Sequence, residues 1–530
     1  MSLGLAARAA LEVADLFYRR RLLADARDPR RAQDRALRRI LRANAGTGFG
    51  RAHGFGGLTS RDAYRAAVPV QTHESLADAI RRQAESGAPA LTVAPPIFYA
   101  RTSGTTGPAR DFPVTAGSQA AQRAAQRVFA ATLHRGTGFF EGRIAGFGGA
   151  HVEGRLAGGQ PFGSASGQTY ATAPAFVRRK FVVPEAVFAI ADAREKYHAY
   201  ALAALAAHDL SGIITANPST LLSMVTHVQR NAEAVLRDLA QGAARPDRAK
   251  LLEAALVQGL SLDHVWPRLG TLATWTGGNC RVALDQLAPL LPPRLKVVEI
   301  GYRASEFIGT INVDAATNTC LPDLRHTVFE FVEEDLWERG EAAFLWLDEI
   351  EAGRRYYVFA TTASGLYRYH INDVVEMTGR VGACPALVFV RKGQGATSIT
   401  GEKLTETQAM AAAQAIGVAP AFFIAVADPQ AARYRLFHEI DAPPPADRAA
   451  KAAAAFDAAL CAGNIEYAAK RSSGRLSPAE VVFVRPGAGE AVKAAAVAAG
   501  QREAQVKPPL LADAGRWRFD FGPYRWDGGE

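Results

Sequence analysis

Four hydroxyl side chains, Thr102, Ser103, Thr105 and Thr106, crowd around Gly104 and Gly107 in the run R-T-S-G-T-T-G, directly after the apolar stretch Ala94 to Ala100. Glycine lets the backbone take positive φ and turn successive N–H groups toward one point. Such a concavity binds anions, and the hydroxyls add donors. The loop suits the β- and γ-phosphates of a nucleotide. It lacks the Gly-Lys-Ser/Thr of a Walker loop, and no lysine precedes Lys180. A phosphate loop without its own lysine points to chemistry at the α-phosphate, with pyrophosphate as the leaving group. Taken alone, the run reads equally well as a polar surface turn.

Further segments can complete that chemistry. Each lies where a strand is expected to end, and ligands gather at such ends in α/β folds. Trp275-Thr276-Gly277-Gly278 offers a flat backbone for an adenine. Gly301-Tyr302-Arg303-Ala304-Ser305-Glu306 offers a ring, a hydroxyl and a carboxylate. Tyr367 to Asp373 ends in a carboxylate able to accept from both ribose hydroxyls. Arg391-Lys392 and Gly401-Glu402-Lys403-Leu404 follow. Singly, these are ordinary turns, solvated strand ends and an exposed linker; their order is the informative part.

The elements that would position them alternate between helix and strand. Residues 1–45 read as helical with a break at Asp28-Pro29, and helices are expected over 116–133, 184–208, from Ser219, and over 247–258. Short apolar strands are expected at 211–215, 270–275 and 295–300. A β-rich stretch follows, with strands at 307–313, 328–332, 343–347, 356–361 and 386–390. A smaller α+β unit follows, with helices at 405–415 and 448–461 and strands at 422–426, 433–440 and 481–484. In the strand 433–440, Tyr434, Leu436 and His438 share a face. The expected fold is α/β, with sheets flanked by helices over 1–390 and a small α+β domain over 391–530.

Composition excludes several classes. The 530 residues are 48% hydrophobic and 21% charged, which is globular with material for a large core. Cys280, Cys320, Cys384 and Cys461 are far apart and form no C-x-x-C, which disfavours a disulfide framework or zinc site and fits a reducing cytoplasm. Arg8, Glu12 and Asp15 interrupt the first apolar stretch, so no signal peptide is expected. No uncharged apolar run of about 18 residues occurs, so no membrane span is expected. The net charge of +9 invites nucleic acid. However, the arginines are spread along the chain, and the densest run, Arg19 to Arg42, contains Asp25, Asp28 and Asp34. Its Leu37, Ile40 and Leu41 have helical spacing, so its arginines read as a solvated helix face and no nucleic-acid partner is expected.

The order of segments resembles the adenylate-forming superfamily of acyl ligases and luciferases. Within it the chain is similar to the Gretchen Hagen auxin-responsive family of acyl acid amido synthetases. That family's S-S-G-T-S-G-G appears as Thr102 to Pro108, its Y-A-S-S-E as Tyr302 to Glu306, and its G-L-Y-R-Y-R-V-G-D-V as Gly365 to Val374. Family-like runs also occur at 67–70 (A-V-P-V), 329–331 (F-E-F), 391–403 and 500–508. The departures are Pro108 for glycine, His370 for arginine and Asn372 for glycine. Asparagine tolerates positive φ, so the turn can survive. These departures and the compact length suggest a bacterial branch.

The resemblance implies a large luciferase-like domain and a two-step reaction. A carboxylic acid attacks the α-phosphorus of ATP, giving an acyl-adenylate and pyrophosphate. An amine, usually of an amino acid, then takes the acyl group and AMP leaves. In this reading Ser103, Gly104, Thr105 and Thr106 hold phosphates, Gly277 and Tyr302 frame adenine, and Ser305 lies in the nucleotide site. Asp373 anchors ribose, Arg391 reaches it from the hinge, and Glu306 holds Mg2+. Lys507 is a mobile cation carried by the small domain. The acyl pocket is expected from Phe147 to His151, Ser164 to Tyr170, Asn217 to Thr226 and Trp275, with Tyr170, Thr220 and Trp275 as contacts. The partners implied are a small-molecule carboxylic acid and an amine, and the chain is expected to be a monomer. The alternatives are an acyl-CoA ligase of the same superfamily and a nucleotide-binding scaffold without turnover.

Overall fold

The computed structural model describes residues 4–102, 110–241, 246–278, 280–393, 395–418, 422–445, 447–498, 509–515 and 517–526. They fall in two compact units that meet between Arg391 and Lys392.

The first unit is built around a four-stranded parallel sheet in the order Arg143–Phe147, Leu210–Thr215, Thr271–Thr274 and Lys296–Glu299. Strands covered on both faces read as continuous apolar runs, and Leu210–Thr215 is buried along most of its length. Helix Pro218–Arg230 follows the second strand. It starts there because the Asn217 side chain accepts from Ser219 N–H and Pro218 fills the first helical position. Its Leu221, Met224, Val225 and Val228 are buried against the sheet layer. The expected helix over 184–208 is two pieces, Glu185–Phe188 and Ala193–Leu205. Asp192 explains the second start, since its carboxylate accepts from Glu195 N–H. The arginines around Ala32 to Leu41 lie on helix Pro29–Asn44, whose Leu37, Ile40 and Leu41 are buried as their spacing implied.

A five-stranded sheet follows, in the order Leu345–Trp346, Thr327–Glu333, Arg355–Thr362, Tyr369–Val381 and Cys384–Lys392. Its longest strand, Tyr369–Val381, was not foreseen, because Tyr-His-Ile-Asn-Asp reads as turn chemistry. The register explains the mismatch. Tyr357 pairs with Val374 and Phe359 with His370, so three residues oppose one and the strand bulges. Asn372 sits in that bulge with φ +60°, the left-handed conformation expected of it. The strand expected from Phe307 begins later, at Thr310–Asp314.

Three family-like runs meet at one buried ion cluster. Arg368 takes φ +46° and donates Nε–H to Glu330 Oε2 at 2.9 Å and Nη1–H to Val68 carbonyl at 2.7 Å. Arg65 Nε–H reaches the other oxygen, Glu330 Oε1, at 3.0 Å. Arg368 and Glu330 are 4% and 2% exposed, and the guanidinium lies over the Phe344 ring. The arginine of the Gly365 to Val374 run is therefore a structural pin between A-V-P-V and F-E-F. Lysine keeps the charge but not the fork of donors. Arg368→Lys is expected to lose about 1–3 kcal/mol of stability through the missing charged hydrogen bonds. Urea unfolding checks this, and an unchanged midpoint contradicts the pin.

The hydroxyl-rich loop is flanked by strands Pro96–Thr102 and Arg110–Thr115, which pair antiparallel. Arg101 and Asp111 close that pair with two hydrogen bonds of 2.8 and 2.7 Å.

In the second unit a sheet runs in the order Glu480–Val484, Arg433–Glu439, Phe423–Asp428 and Leu511–Asp513. Helices Glu406–Gln414 and Arg448–Gly463 supply Ala409, Ala412, Ala413, Phe456 and Leu460 to its core. Tyr434, Leu436 and His438 alternate inward as expected. Among the described residues, no helix is long and apolar enough to cross a membrane.

Candidate active site

The carboxyl ends of two adjacent parallel strands carry two of the expected segments. Thr271–Thr274 runs into Trp275 to Gly278, and Lys296–Glu299 into Gly301 to Glu306. Both turns require glycine. Gly301 takes φ +91°, and a Cβ there would lie 2.4 Å from the Thr310 carbonyl oxygen. A Cβ on Gly277 would lie 2.4 Å from the carbonyl oxygen of Phe389, so the turn packs on strand Cys384–Lys392.

Phe389 is also the wall behind Tyr302. The two rings stack with centroids 5.7 Å apart and planes 22° apart. The Tyr302 hydroxyl donates to Asp373 Oδ2 at 2.7 Å, and the two residues are 7% and 3% exposed. The bulge around Asn372 interrupts the alternation just before Asp373. Burial, with the Asp373 carboxylate adding to it, pushes the Tyr302 phenol far above its usual range, so the hydroxyl stays a donor. Gly277 and Tyr302 thus both pack on Phe389, and Asp373 joins them through the Tyr302 hydroxyl. A ribose that reached Asp373 Oδ2 would exchange with the Tyr302 hydroxyl.

Glu306 lies on the same turn, half-buried beside half-buried Ser305. Its Oε2 is buried and has no hydrogen-bond partner among the described residues. Its charge acts on Tyr302, Tyr369 and His73. A buried, unsatisfied carboxylate oxygen is a hard donor of the kind Mg2+ takes, so the residue fits a divalent cation. Among the described residues no cluster of three or more metal-ligating side chains occurs.

Arg391 donates to Glu338 at 2.6 Å and to Glu334, both on helix Glu334–Glu338. Burial pulls its guanidinium down, and the two carboxylates more than offset that. Thr220 is half-buried on the first turn of helix Pro218–Arg230, beyond the second parallel strand. Trp275 N–H donates to the Ala216 carbonyl at 3.0 Å, which joins the ends of the second and third strands. Tyr170 lies in an aromatic group with Phe181 and Phe188, both at 5.0 Å. Ser103, Gly104, Thr105, Thr106, Pro108 and Lys507 lie outside the described residues. Glu402 is a buried acceptor for Ile399 N–H, Thr400 N–H and Tyr434 O–H, a structural part of the second unit.

Two features went unread. His73 opens helix His73–Ser86 edge-on to Phe112, and burial together with Arg110 holds its imidazole below the usual range. The residues just before it are tied to the third motif: Gln71 N–H donates to Arg368 carbonyl at 3.1 Å and His370 N–H to Gln71 carbonyl at 2.8 Å. The second is Glu299. Its signal was a carboxylate inside an otherwise apolar strand, between Val298 and Ile300.

The layered sheets, with ligand-type turns at the carboxyl ends of parallel strands, define an α/β fold shared with solved structures of adenylate-forming ligases. A solved "AtGH3.15 acyl acid amido synthetase in complex with 2,4-DB" aligns with a TM-score of 0.63 at 20% identity, covering 93% of each chain. A 2-hydroxyisobutyryl-CoA ligase in complex with 2-HIB-AMP and CoA aligns at 0.53 and 15% identity, over 91% of this chain and 90% of that one. The GH3 family N-terminal domain matches residues 18–294, the central domain 320–392 and the C-terminal domain 406–515. The chain belongs to the GH3 family. It is 26% identical over 423 residues to the indole-3-acetic acid-amido synthetase GH3.8 of Oryza sativa subsp. indica, covering 71% of this chain and 68% of that one. It is 24% identical to the jasmonoyl–L-amino acid synthetase JAR4 of Nicotiana attenuata, covering 73% and 74%.

Proposed function

We propose that the chain is an ATP-dependent acyl acid amido synthetase. It activates a carboxylic acid as an acyl-adenylate with release of pyrophosphate. It then passes the acyl group to an amine, that of an amino acid, with release of AMP. The observation that carries this reading is that Tyr302, at the carboxyl end of a parallel strand, donates to Asp373 and stacks on Phe389, against which Gly277 also packs. The family match along most of the chain supports it.

No covalent enzyme intermediate is needed, so the work is positioning and electrostatics. Gly277 and Tyr302 frame the adenine, and Asp373 accepts from the ribose hydroxyls. Ser103, Gly104, Thr105 and Thr106 hold the departing phosphates, with Ser305 beside them. Glu306 would hold Mg2+, which offsets the triphosphate charge when bound. Arg391 stands at the hinge, and Lys507 brings a positive charge to the α-phosphate. Tyr170, Thr220 and Trp275 bound the acyl pocket. The enzyme works as a cytoplasmic monomer of a bacterial branch of the family.

The test is ATP–pyrophosphate exchange against aromatic, indole and fatty acids, with and without magnesium. At least one acid is expected to support magnesium-dependent exchange; silence across the panel sinks the reading. A chase of the preformed adenylate then separates acceptors. Amino acids are expected to consume it faster than coenzyme A, and the reverse order favours the acyl-CoA ligase.

A further inference from the structure

The turns after the third and fourth parallel strands are joined chiefly through one carboxylate. Glu299, the last residue of strand Lys296–Glu299, is 9% exposed. Its Oε2 accepts from Thr276 N–H at 2.6 Å and from Thr276 Oγ1–H at 2.7 Å. Its Oε1 accepts from Gly301 N–H at 2.8 Å. The Trp275 indole adds a fourth link, donating to the Gly301 carbonyl at 3.0 Å.

The backbone that carries this carboxylate is itself held on both sides. Glu299 N–H donates to Asn318 Oδ1 at 2.9 Å, and Asn312 Nδ2–H donates to the Glu299 carbonyl at 2.8 Å. The ionisable groups its charge acts on are Cys280 on helix Cys280–Leu287, Cys320 on strand Thr319–Pro322, and Arg303. Burial pushes the carboxyl up, and the donors from Thr276, Gly301 and Ile300 work against that. Only a carboxylate presents two acceptor-only oxygens to three donors. A glutamine would turn an N–H toward one of them.

We infer that Glu299 is a positioning residue for nucleotide binding: it fixes the turn Thr276 to Gly278 against the turn Gly301 to Glu306, so that Gly277 and Tyr302 keep the separation an adenine needs. It makes no nucleotide contact of its own. This rests on the nucleotide reading above. Of the proposed acyl pocket elements, Tyr170 and Thr220 lie outside this link and Trp275 lies within it.

The test compares Glu299→Gln with the wild-type protein in three measurements: hydrogen exchange at the Thr276 and Gly301 amides, AMP affinity by titration calorimetry, and KM for ATP and for the acid in pyrophosphate exchange. Faster amide exchange, at least tenfold weaker AMP binding, and a KM for ATP raised severalfold more than the KM for the acid are expected. A merely structural loss would move both KM values together. Amides as protected as in the wild type, or AMP binding that survives their release, overturn the inference while leaving the nucleotide reading intact. A wild-type chain that binds neither AMP nor ATP sinks that reading and nucleotide positioning with it. Should Glu299→Gln not fold, Thr276→Val deletes one donor and carries the same measurements at smaller amplitude.

Discussion

Lys507→Ala is expected to lower ATP–pyrophosphate exchange by about a hundred- to a thousand-fold, the usual cost of removing one positioned donor from a developing anion. Charge builds at the α-phosphorus as the acid attacks and pyrophosphate departs. A cation proposed to be delivered to that state acts on it more than on the bound ground state. AMP affinity is therefore expected to change little, since the proposed adenine and ribose contacts, Gly277, Tyr302 and Asp373, lie in the first unit. The half-reactions separate the explanations. With chemically made acyl-adenylate and amine supplied, amide formation is expected to fall far less than exchange. Wild-type rates in both half-reactions would make Lys507 a solvated residue. The sequence reading alone supports this expectation, through one of only ten lysines standing in a Q-V-K-P context.

Much of the scaffold was legible because its signals are local. Three of the four parallel strands are short, apolar and followed by glycine or asparagine, and were anticipated within a residue or two; Arg143–Phe147, at the edge of a glycine-rich stretch, was not. The strand Tyr369–Val381 was not, since its bulge needs a positive-φ residue and so looks like a turn in one dimension. The site divides along the same line. Gly277, Tyr302, Glu306 and Asp373 were singled out because resemblance fixes their order. Their arrangement was not legible: nothing in sequence tells that Tyr302 donates to a carboxylate 71 residues away. Glu299 and Glu330 escaped for a related reason. A buried carboxylate declares itself only by interrupting an apolar strand, and its donors come from distant segments. Arg368 shows the converse. A residue inside the most family-specific run is engaged by Glu330 and Val68 and serves the fold.

Asp373→Ala is expected to weaken AMP binding at least tenfold. Each charge-assisted bond from a carboxylate to a ribose hydroxyl contributes about 1.5–3 kcal/mol, and Asp373 is proposed to accept two. The Tyr302 hydroxyl complicates a single substitution, because it donates to Asp373 Oδ2. Removing the carboxylate also leaves a buried phenol without its acceptor, which costs about 1–3 kcal/mol of stability. Tyr302→Phe separates the two effects. It keeps the ring against Phe389 and frees the carboxylate from its internal donor. If Asp373 serves ribose, Tyr302→Phe holds AMP within a few-fold of the wild type while Asp373→Ala does not, and only the alanine variant loses the dependence of affinity on the ribose hydroxyls when 2′-deoxy-AMP is compared with AMP. If Asp373 instead serves only to fix Tyr302, the two variants weaken AMP alike and neither changes the ratio between the two nucleotides. Calorimetric titration of both nucleotides against both variants decides between a ligand carboxylate and a structural one.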